Sequence, residues 1–545
     1  MRNLLTILLC VVAVMFFTAA MPGQDVFQRA AVIDADTLDV GGYGHMISGL
    51  DIDGDGKMEI YAINTDWHDV AGYDLVPRIY KYEQVTAGDP NAWQTVWSTR
   101  LSMDYQNTWG ALDSGDLDGD GKGEVIWGPV NNTAGGLNPT PDRIVVFETP
   151  GDGSDNMGVD NGDGTWRPNA RWEIDPTPNA NLRPFKWLVA DVDNDGTQEV
   201  VAQCRAGDSL AQIFSVNDVP DAADSSETWT IEFKGGGGTD YGDLAIIGSN
   251  MYFMKYLTGD VRKITATGPD TYQDMGTIVG KAGTGTWKSA AVVDVDGNGS
   301  KEIILASYTP SNDIYLLQES GDTLISSMIA DVPASSNRSM GGAAGDLDND
   351  GNVDYVFGTR QATTNGIIHR VEYQGGDITD PNNWELTSID SLISPTASQY
   401  DIINVANLDG DADDEVAYTG TPRDNAVTDP PQPIVILDRV STGIGDRRIV
   451  NLVDGFNLQQ NYPNPFNPET QISFTIPRAL RVSLKIYNIT GQEVRTLVND
   501  NKSAGTHTVR WDGSNNQGIK VASGVYVYTI KAGNFLQSKK MTFMK

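Results

Sequence analysis

The chain has 545 residues, 39% of them hydrophobic, and a formal net charge of −35. This length and apolar content suffice for a large core and for more than one domain. Because so acidic a chain repels phosphate groups, we expect no nucleic acid partner and no attraction to anionic membranes.

Residues 1–20, MRNLLTILLCVVAVMFFTAA, combine one basic residue, an apolar run and a small-residue end. This pattern predicts a secretory signal peptide that is cleaved near Ala20. We expect no transmembrane segment in the mature chain, since no other run approaches membrane length. Cys204 would then be the only cysteine, so a disulfide within the chain is impossible and a metal would have to stabilise the secreted protein.

Six copies of one Asp-rich stretch recur at long intervals along the chain. In order they are DIDGDGKMEI (loop 1, 51–60), DLDGDGKGEV (loop 2, 116–125), DVDNDGTQEV (loop 3, 191–200), DVDGNGSKEI (loop 4, 294–303), DLDNDGNVDY (loop 5, 346–355) and NLDGDADDEV (loop 6, 407–416). Side-chain oxygens occupy positions 1, 3, 5 and 9, and Gly occupies position 6 in five copies, where the chain must turn with positive φ.

Carboxylates at alternate positions of a tight loop converge on one point, and a carbonyl at position 7 adds an oxygen, which suits the 6–8 oxygen ligands of Ca²⁺. We therefore expect about six mainly structural calcium sites. The predicted ligands are Asp51, Asp53, Asp55, Lys57, Glu59, Asp116, Asp118, Asp120, Lys122, Glu124, Asp191, Asp193, Asp195, Thr197, Glu199, Asp294, Asp296, Asn298, Ser300, Glu302, Asp346, Asp348, Asp350, Asn352, Asp354, Asn407, Asp409, Asp411, Asp413 and Glu415. Loop 6 should be the weakest or empty, with Asn407 at position 1 and Ala412 strained at position 6.

An EF-hand shares the first half of this pattern, but it needs a bidentate Glu at position 12 and flanking helices. Position 12 is apolar or aromatic in all six copies: Ala62, Trp127, Ala202, Leu305, Phe357 and Tyr418. Each loop instead leads into a β-like run such as EIYAIN or EVIWG. Together with GALDSGDLDGDGKGEVIWG (110–128) and GAAGDLDNDGNVDYVFG (342–358), the copies resemble FG-GAP (VCBS-type) repeats of integrin-α-like β-propellers.

From 24 to 440 short strands alternate with turns, and Trp-bearing strands such as AWQTVW (92–97) recur, which predicts an all-β fold of four-stranded propeller blades. The long interval between loops 3 and 4 conceals a blade at YGDLAIIGSNMYFMKY (241–256), with Asp243 near the first position of a lost loop. We therefore predict a seven-bladed β-propeller. QRAAVIDADTL (28–38) should complete the blade that ends at PIVILDRV (433–440).

Two segments leave the repeat pattern, 131–142 and 150–168. The second contains DNGDG at 160–164, which lacks the full metal-loop spacing, so we predict a flexible polar loop there. Trp166 in this segment and His68 in NTDWHD (64–69) are candidates for stacking and polar contacts with a sugar, or else ordinary loop residues.

The sequence 441–456 is a predicted linker, and composition changes after it. Residues 457–545 contain 11 Lys and Arg against 4 Asp and Glu, and alternating runs such as QISFTI (471–476) predict a small Ig-like β-sandwich. The order of NYPNPFNPETQISFTIP, VSLKIYNITGQEVRTLV, AGTHTVRWDGSNNQG and KKMTFMK resembles C-terminal sorting domains of type IX secretion cargo and their FlgD Ig-like relatives. The resemblance implies export by the type IX machinery of a Gram-negative bacterium to its outer membrane surface or beyond.

Catalytic motifs are absent from the sequence. GDSL at 207–210 lacks the DxxH block of its hydrolase family, and neither GxSxG nor HExxH occurs. The sequence therefore predicts a secreted or surface-displayed calcium-binding propeller that acts in adhesion by binding a glycan or an extracellular protein, and not an enzyme. Two alternatives remain open: a polysaccharide-active enzyme, a lyase or a hydrolase, and a purely structural surface protein.

Overall fold

A computed structural model describes residues 27–35, 42–65, 76–101, 110–129, 144–172, 184–204, 211–235, 241–278, 285–309, 313–332, 338–359, 366–392, 398–422, 432–440, 457–458, 461, 463–476, 480–488, 492–502, 505–532 and 535–544. The predicted signal peptide, the segment 131–142, His68, the GDSL stretch and the linker 441–456 lie outside these ranges. The chain divides into unit 1, up to Val440, and unit 2, from Ser441.

Unit 1 consists of antiparallel four-stranded sheets, and its described part contains seven of them. After β1 (Phe27–Ile33), sheet 1 contains β2 (Tyr43–Leu50), β3 (Glu59–Asn64), β4 (Arg78–Gln84) and β5 (Trp93–Arg100), and sheet 2 contains β6 (Ala111–Gly115), β7 (Glu124–Gly128), β8 (Ile144–Glu148) and, after the hairpin β9 (Val159–Asp160) and β10 (Trp166–Arg167), β11 (Ala170–Trp172). Sheet 3 contains β12 (Pro184–Ala190), β13 (Glu199–Cys204), β14 (Ala211–Val216) and β15 (Trp229–Gly235), and sheet 4 contains β16 (Tyr241–Ile247), β17 (Asn250–Lys255), β18 (Val261–Gly268) and β19 (Thr271–Ile278). Sheet 5 contains β20 (Ala291–Val293), β21 (Glu302–Ala306), β22 (Asp313–Ser320) and β23 (Thr323–Asp331), sheet 6 contains β24 (Ser339–Gly345), β25 (Asp354–Thr359), β26 (Gly366–Tyr373) and β27 (Trp384–Leu392), and sheet 7 contains β28 (Ser398–Ala406), β29 (Glu415–Pro422) and β30 (Ile434–Arg439). A short 3₁₀ helix, Pro381–Asn383, precedes β27.

The first strands of the sheets form a closed circuit. β2 contacts β6, and the contacts continue through β12, β16, β20, β24 and β28 back to β2. This radial arrangement is that of a β-propeller, in which each sheet is a blade and the sheet edges are short. The number of blades stays a prediction. A propeller of seven blades requires seven sheets in such a circuit.

The N-terminal strand completes the last sheet, as predicted. β1 pairs antiparallel with β30, with Phe27 opposite Arg439 and Ile33 opposite Ile434. Sheet 7 therefore combines one strand from the start of unit 1 with three from its end.

Each loop connects the first strand of its sheet to the second, and the second strand is an apolar run because it is covered on both faces. β3 and β7 are buried along their whole length. Tyr61 and Ile63 of sheet 1 pack with Trp127 and Phe147 of sheet 2, so the core lies between neighbouring blades. The recurring Trp-bearing runs form the fourth, outer strands, as in β5 and β15.

The blade concealed between loops 3 and 4 is sheet 4, where the two residues 248–249 replace the metal loop. The prediction for Asp243 is wrong, however, because this residue lies within β16 and not at the start of a lost loop. Its buried carboxylate accepts hydrogen bonds from the backbone N–H groups of Ser289 (2.6 Å) and Ala290 (2.9 Å), across the junction with sheet 5. The loop pattern places its first Asp after the first strand, so an Asp within that strand has no counterpart in the pattern, and this explains the error.

Within the segment 150–168, the structure has the hairpin β9–β10 instead of the irregular polar loop predicted. Asp160 and Asp163 accept backbone hydrogen bonds two residues downstream, from Gly162 (2.7 Å) and Thr165 (3.0 Å), which fold the turn.

Unit 2 is a two-layer β-sandwich. Its strands are β31 (Asn457–Leu458), β32 (Thr470–Ile476), β33 (Leu480–Tyr487), β34 (Glu493–Lys502), β35 (Gly505–Trp511), β36 (Gly524–Ala532) and β37 (Phe535–Phe543), in sheets of order β31-β32-β35 and β34-β33-β36-β37. Phe474, Leu484, Trp511 and Tyr528 lie in the core between the sheets. The alternation of apolar and polar residues in these strands produces the two-layer packing.

Candidate metal centres

All six loops share one hydrogen bond between position 9 and position 2. The position 9 carboxylate turns back and accepts a hydrogen bond from the backbone N–H of position 2. The donors and acceptors are Ile52 and Glu59 (2.9 Å), Leu117 and Glu124 (2.7 Å), Val192 and Glu199 (2.8 Å), Val295 and Glu302 (3.1 Å), Leu347 and Asp354 (2.7 Å), and Leu408 and Glu415 (2.5 Å). In each loop this bond fixes one oxygen of the position 9 carboxylate beside the start of the loop.

Two positions of the loop need a left-handed backbone, and the sequence analysis identified only one of them. Position 6 is Gly with positive φ in loops 1 to 5. Position 4 also has positive φ in every loop: Gly54 (74°), Gly119 (74°), Asn194 (62°), Gly297 (70°), Asn349 (54°) and Gly410 (78°). The signal was present in the sequence, because position 4 is always Gly or Asn, the residues that tolerate this conformation best.

Loops 2 and 3 bring their carboxylates together as predicted. In loop 2, oxygens of Asp116, Asp118, Asp120 and Glu124 lie within 4.8 Å of one another; in loop 3, those of Asp191, Asp193, Asp195 and Glu199 do the same. Such a set matches the hard oxygen ligands that Ca²⁺ prefers.

Several loops contain buried carboxylate oxygens that have no hydrogen-bond partner among the described residues. In loop 2 these are Oδ1 of Asp116 and Oε1 of Glu124, and others occur at Asp294, Asp348 and Glu415. A buried, unpaired carboxylate oxygen is costly. In loop 2, one divalent cation would satisfy the free oxygens of Asp116 and Glu124 together.

Electrostatics point the same way for loop 2. Burial, together with the charges of Asp118 and Asp116, raises the pKa of Glu124 to about 9. The fold thus holds this carboxyl where its negative charge is unfavourable unless a cation is close.

Loops 1 and 5 carry a protein cation beside the ligands, which the sequence analysis missed. The Lys81 Nζ lies 2.5 Å from Asp53 and 2.7 Å from Glu59, all three side chains being fully buried. In loop 5 Arg370 pairs in the same way with Asp354 (2.5 Å) and Asp348 (2.6 Å).

Among the described residues, strand register explains why loops 1 and 5 have a buried cation on the third strand of their sheets. Lys81 and Arg370 lie on the third strand of their sheets, opposite the residue two positions after position 9. The equivalent residues of the other loop-bearing sheets are apolar: Val146, Ile213, Leu316 and Ile436. The residue type at this position of the third strand therefore distinguishes loops 1 and 5, which have a buried cation there, from the other four loops, which do not.

Loop 6 departs from the others, as predicted, but for a different reason. Ala412 does not have positive φ, so the expected strain at this residue is wrong. Instead the Asn407 amide donates to the Asp411 carbonyl (2.7 Å), and its oxygen accepts from the Gly410 N–H (2.6 Å). Asn407 is thereby engaged within the loop, and Arg439 pairs with Asp413 at position 7 (2.6 Å).

Position 3 of some loops also joins neighbouring blades. The Asp118 carboxylate accepts from the Val219 N–H in the outer turn of sheet 3 (2.7 Å), and Asp193 accepts from the Asp270 N–H in sheet 4 (2.6 Å). A cation held by these residues would therefore stabilise the junction between two blades as well as the loop.

A second constellation lies on the axis of unit 1, around a cavity of about 340 Å³ that the first strands of six sheets line. His45, Asp113, Lys186 and Lys288 contribute its titratable groups. Burial lowers the pKa of His45 well below its usual value and raises that of Asp113 to about 6. Lys186 donates to the Asp243 carboxylate (2.7 Å), and Lys288 has φ 48°, a conformation that non-Gly residues seldom adopt.

The buried residues His369 and Cys204 have structural surroundings. His369 is buried, stacks on Phe357 with ring centroids 5.2 Å apart, and its Nδ1 lies 3.2 Å from the Ser388 hydroxyl. Cys204 is buried and forms no disulfide with another described residue. The part of the chain that the structure describes has no helix long and apolar enough to span a membrane.

Two families are recognised within the chain. An FG-GAP-like repeat matches residues 294–357, and a FlgD Ig-like domain matches residues 464–534. The first match covers loops 4 and 5, and the second covers most of unit 2. No curated protein matches the chain.

Solved structures resemble the chain remotely. PorZ, an essential surface component of the type-IX secretion system of Porphyromonas gingivalis, is 15% identical with a TM-score of 0.32, over 89% of this chain and 58% of PorZ. The chain thus spans less than two thirds of PorZ. A putative 6-phosphogluconolactonase from Bacteroides fragilis is 11% identical (TM-score 0.40; 69% of this chain, 98% of that one), as is a fungal AA5 alcohol oxidase in complex with copper (0.40; 93% and 100%). None of these likenesses bears on activity.

Proposed function

We propose that this protein is a secreted or cell-surface calcium-binding β-propeller, which serves as a binding or adhesion module for a glycan or an extracellular protein. Unit 2 acts in the proposal as the sorting domain that directs the chain to the type IX secretion machinery. Calcium has a structural role, and the rigid blades present loops to the ligand.

One observation carries the proposal: loops 2 and 3 each hold four carboxylates within 4.8 Å of one another, and in loop 2 two of the buried oxygens have no hydrogen-bond partner among the described residues. A cation that binds only the folded loop stabilises the fold by mass action. The FG-GAP-like repeat supports this interpretation of the loops, and the FlgD Ig-like domain supports that of unit 2.

The test is a calorimetric titration of metal-stripped protein with Ca²⁺, followed by melting in calcium and in chelator. We expect several calcium ions to bind and the melting temperature to fall by many degrees in chelator. Equal melting curves in both buffers would refute the structural role. An array of polysaccharides and matrix proteins, probed in both buffers, then tests the binding role.

The axial cavity favours a second candidate, a polysaccharide-active lyase or hydrolase. A neutral buried histidine, a carboxyl group with raised pKa and two lysines lie around one cavity, and groups of this kind perform proton transfer. Release of unsaturated or reducing ends from a polysaccharide panel would favour the enzyme, provided that Lys288→Ala abolishes it. Absence of turnover together with calcium-dependent capture would favour the binding module.

A further inference from the structure

A second cavity, of about 470 Å³, lies between sheets 1 and 2. Arg100 and Leu101 at the end of β5 form one wall, and the β9–β10 hairpin with Arg171 forms the other. The hairpin is attached to sheet 1 through its backbone. The Thr99 hydroxyl accepts from the Trp166 N–H and donates to the Trp166 carbonyl, both at 2.9 Å. We call this cavity the Arg cleft.

Arginines give the Arg cleft a charge opposite to that of the whole chain. Arg100, Arg167 and Arg171 line it, while Asp163 is the one acidic residue among its described lining. Arg167 donates to two neutral oxygens, the Asn161 side chain (3.3 Å) and the Ala222 carbonyl (3.2 Å). Arg100 and Arg167 alone therefore outnumber the one acidic residue of the described lining, in a protein of net charge −35.

The remaining lining suits a carbohydrate. Trp166 is half-buried, and Asn161 and Thr165 lie beside it in the hairpin. An indole ring combines a large apolar face with a polar edge, and amide and hydroxyl groups both donate and accept hydrogen bonds. Guanidinium groups bind carboxylates and sulfates through paired hydrogen bonds.

We propose that the Arg cleft binds an anionic sugar residue, so that the ligand of the propeller is an acidic polysaccharide. Arg100 and Arg167 bind the carboxylate or sulfate group, and Trp166 packs against the sugar ring. The inference rests on the proposed binding function and names its ligand class.

The experiment is calorimetric titration of the full chain, in calcium, with polygalacturonate oligomers, dextran sulfate and neutral dextran. Wild-type protein should bind at least one anionic polymer and not neutral dextran, and the two anionic arms distinguish carboxylate from sulfate. Arg100→Gln and Arg167→Gln should each weaken binding by about tenfold or more. Trp166→Ala should weaken it for every ligand that binds. Arg510→Gln, an exposed arginine of unit 2, is the control and should bind as wild type.

Arg100→Lys separates charge from geometry, since it keeps the charge and loses the guanidinium fork. It should bind better than Arg100→Gln and more weakly than wild type. Melting in calcium identifies any variant that has failed to fold. Wild-type affinity in folded Arg100→Gln and Arg167→Gln, or equal binding of neutral dextran, would overturn the proposal. Failure of the wild type to bind either anionic polymer would also overturn the proposal, whereas the binding function itself fails only if the array of polysaccharides and matrix proteins captures nothing.

Discussion

Glu124→Gln in loop 2 tests the metal centre most directly, because it should lower the free energy of unfolding in calcium and leave it equal or raise it in chelator. The carboxylate is fully buried, one oxygen accepts from the Leu117 N–H (2.7 Å) and the other has no hydrogen-bond partner. An amide keeps the acceptor for Leu117 but removes the negative charge beside Asp116 and Asp118.

The magnitudes follow from the raised pKa and from mass action. In chelator at pH 7, a group whose pKa rises from 4.5 to about 9 on folding disfavours the folded state by about 3 kcal/mol, so the substitution should be neutral or stabilising up to that amount. In calcium, a loop saturated at about 100 times its Kd contributes about 3 kcal/mol, which the variant should lose.

Chemical unfolding of both proteins, in calcium and in chelator, measures these free energies. The variant should be less stable than wild type in calcium and equally or more stable in chelator. Asp322→Asn, an exposed turn residue outside the loops, is the matched control and should not change the response to calcium. A variant destabilised equally in both buffers would refute the reasoning, since the carboxylate would then act only through its hydrogen bond.

Three further predictions concern other loops and one buried histidine. Lys81→Met leaves Asp53 and Glu59 as unpaired buried charges and should lower the free energy of unfolding in chelator by about 3–5 kcal/mol. Calcium should restore much of this stability. An unchanged free energy of unfolding in chelator would mean that the ion pairs of Lys81 are dispensable. Asn407→Asp should add one bound calcium per chain by calorimetry, and an unchanged stoichiometry would contradict the assignment of loop 6 as the deficient site. Burial lowers the pKa of His369 from 6.5 to about 4, so its contribution to stability is complete above pH 6.5 and is lost as the pH falls towards 4, about 3 kcal/mol in all. His369→Gln should therefore lose less stability than wild type between pH 7 and pH 4.5, measured by urea unfolding.

Local patterns predicted much of unit 1. The loop spacing gave the positions of the loops, and the apolar runs after them gave strands such as β3 and β7. The interval between loops 3 and 4 located sheet 4, and the strand-like run near the N-terminus located β1. These signals are short in range, because a tight turn and a covered strand each restrict the residue types that can occupy them.

Contacts between distant strands could not be predicted. Lys81 and Arg370 lie beside their loops only because of the register of the third strand. Arg100 and Trp166 line one cleft only because the β9–β10 hairpin folds against sheet 1. The hydrogen bonds of Asn407 could not be predicted either, since the sequence equally allows the side-chain oxygen of this residue to face a metal. Sequence spacing reports which residues share a loop, whereas the charges around them depend on pairing.

The pairing of β1 with β30 makes the closure of unit 1 a non-local event. Strands joined by a short turn pair early, but β1 cannot pair until the end of the unit is available, and contacts of such sequence separation slow folding. Until then β30 presents an open edge, which another copy of the chain could occupy by exchanging its own first strand. Moving 27–33 to follow 440 by circular permutation would turn this closure into a local hairpin, with faster folding and fewer strand-exchanged dimers.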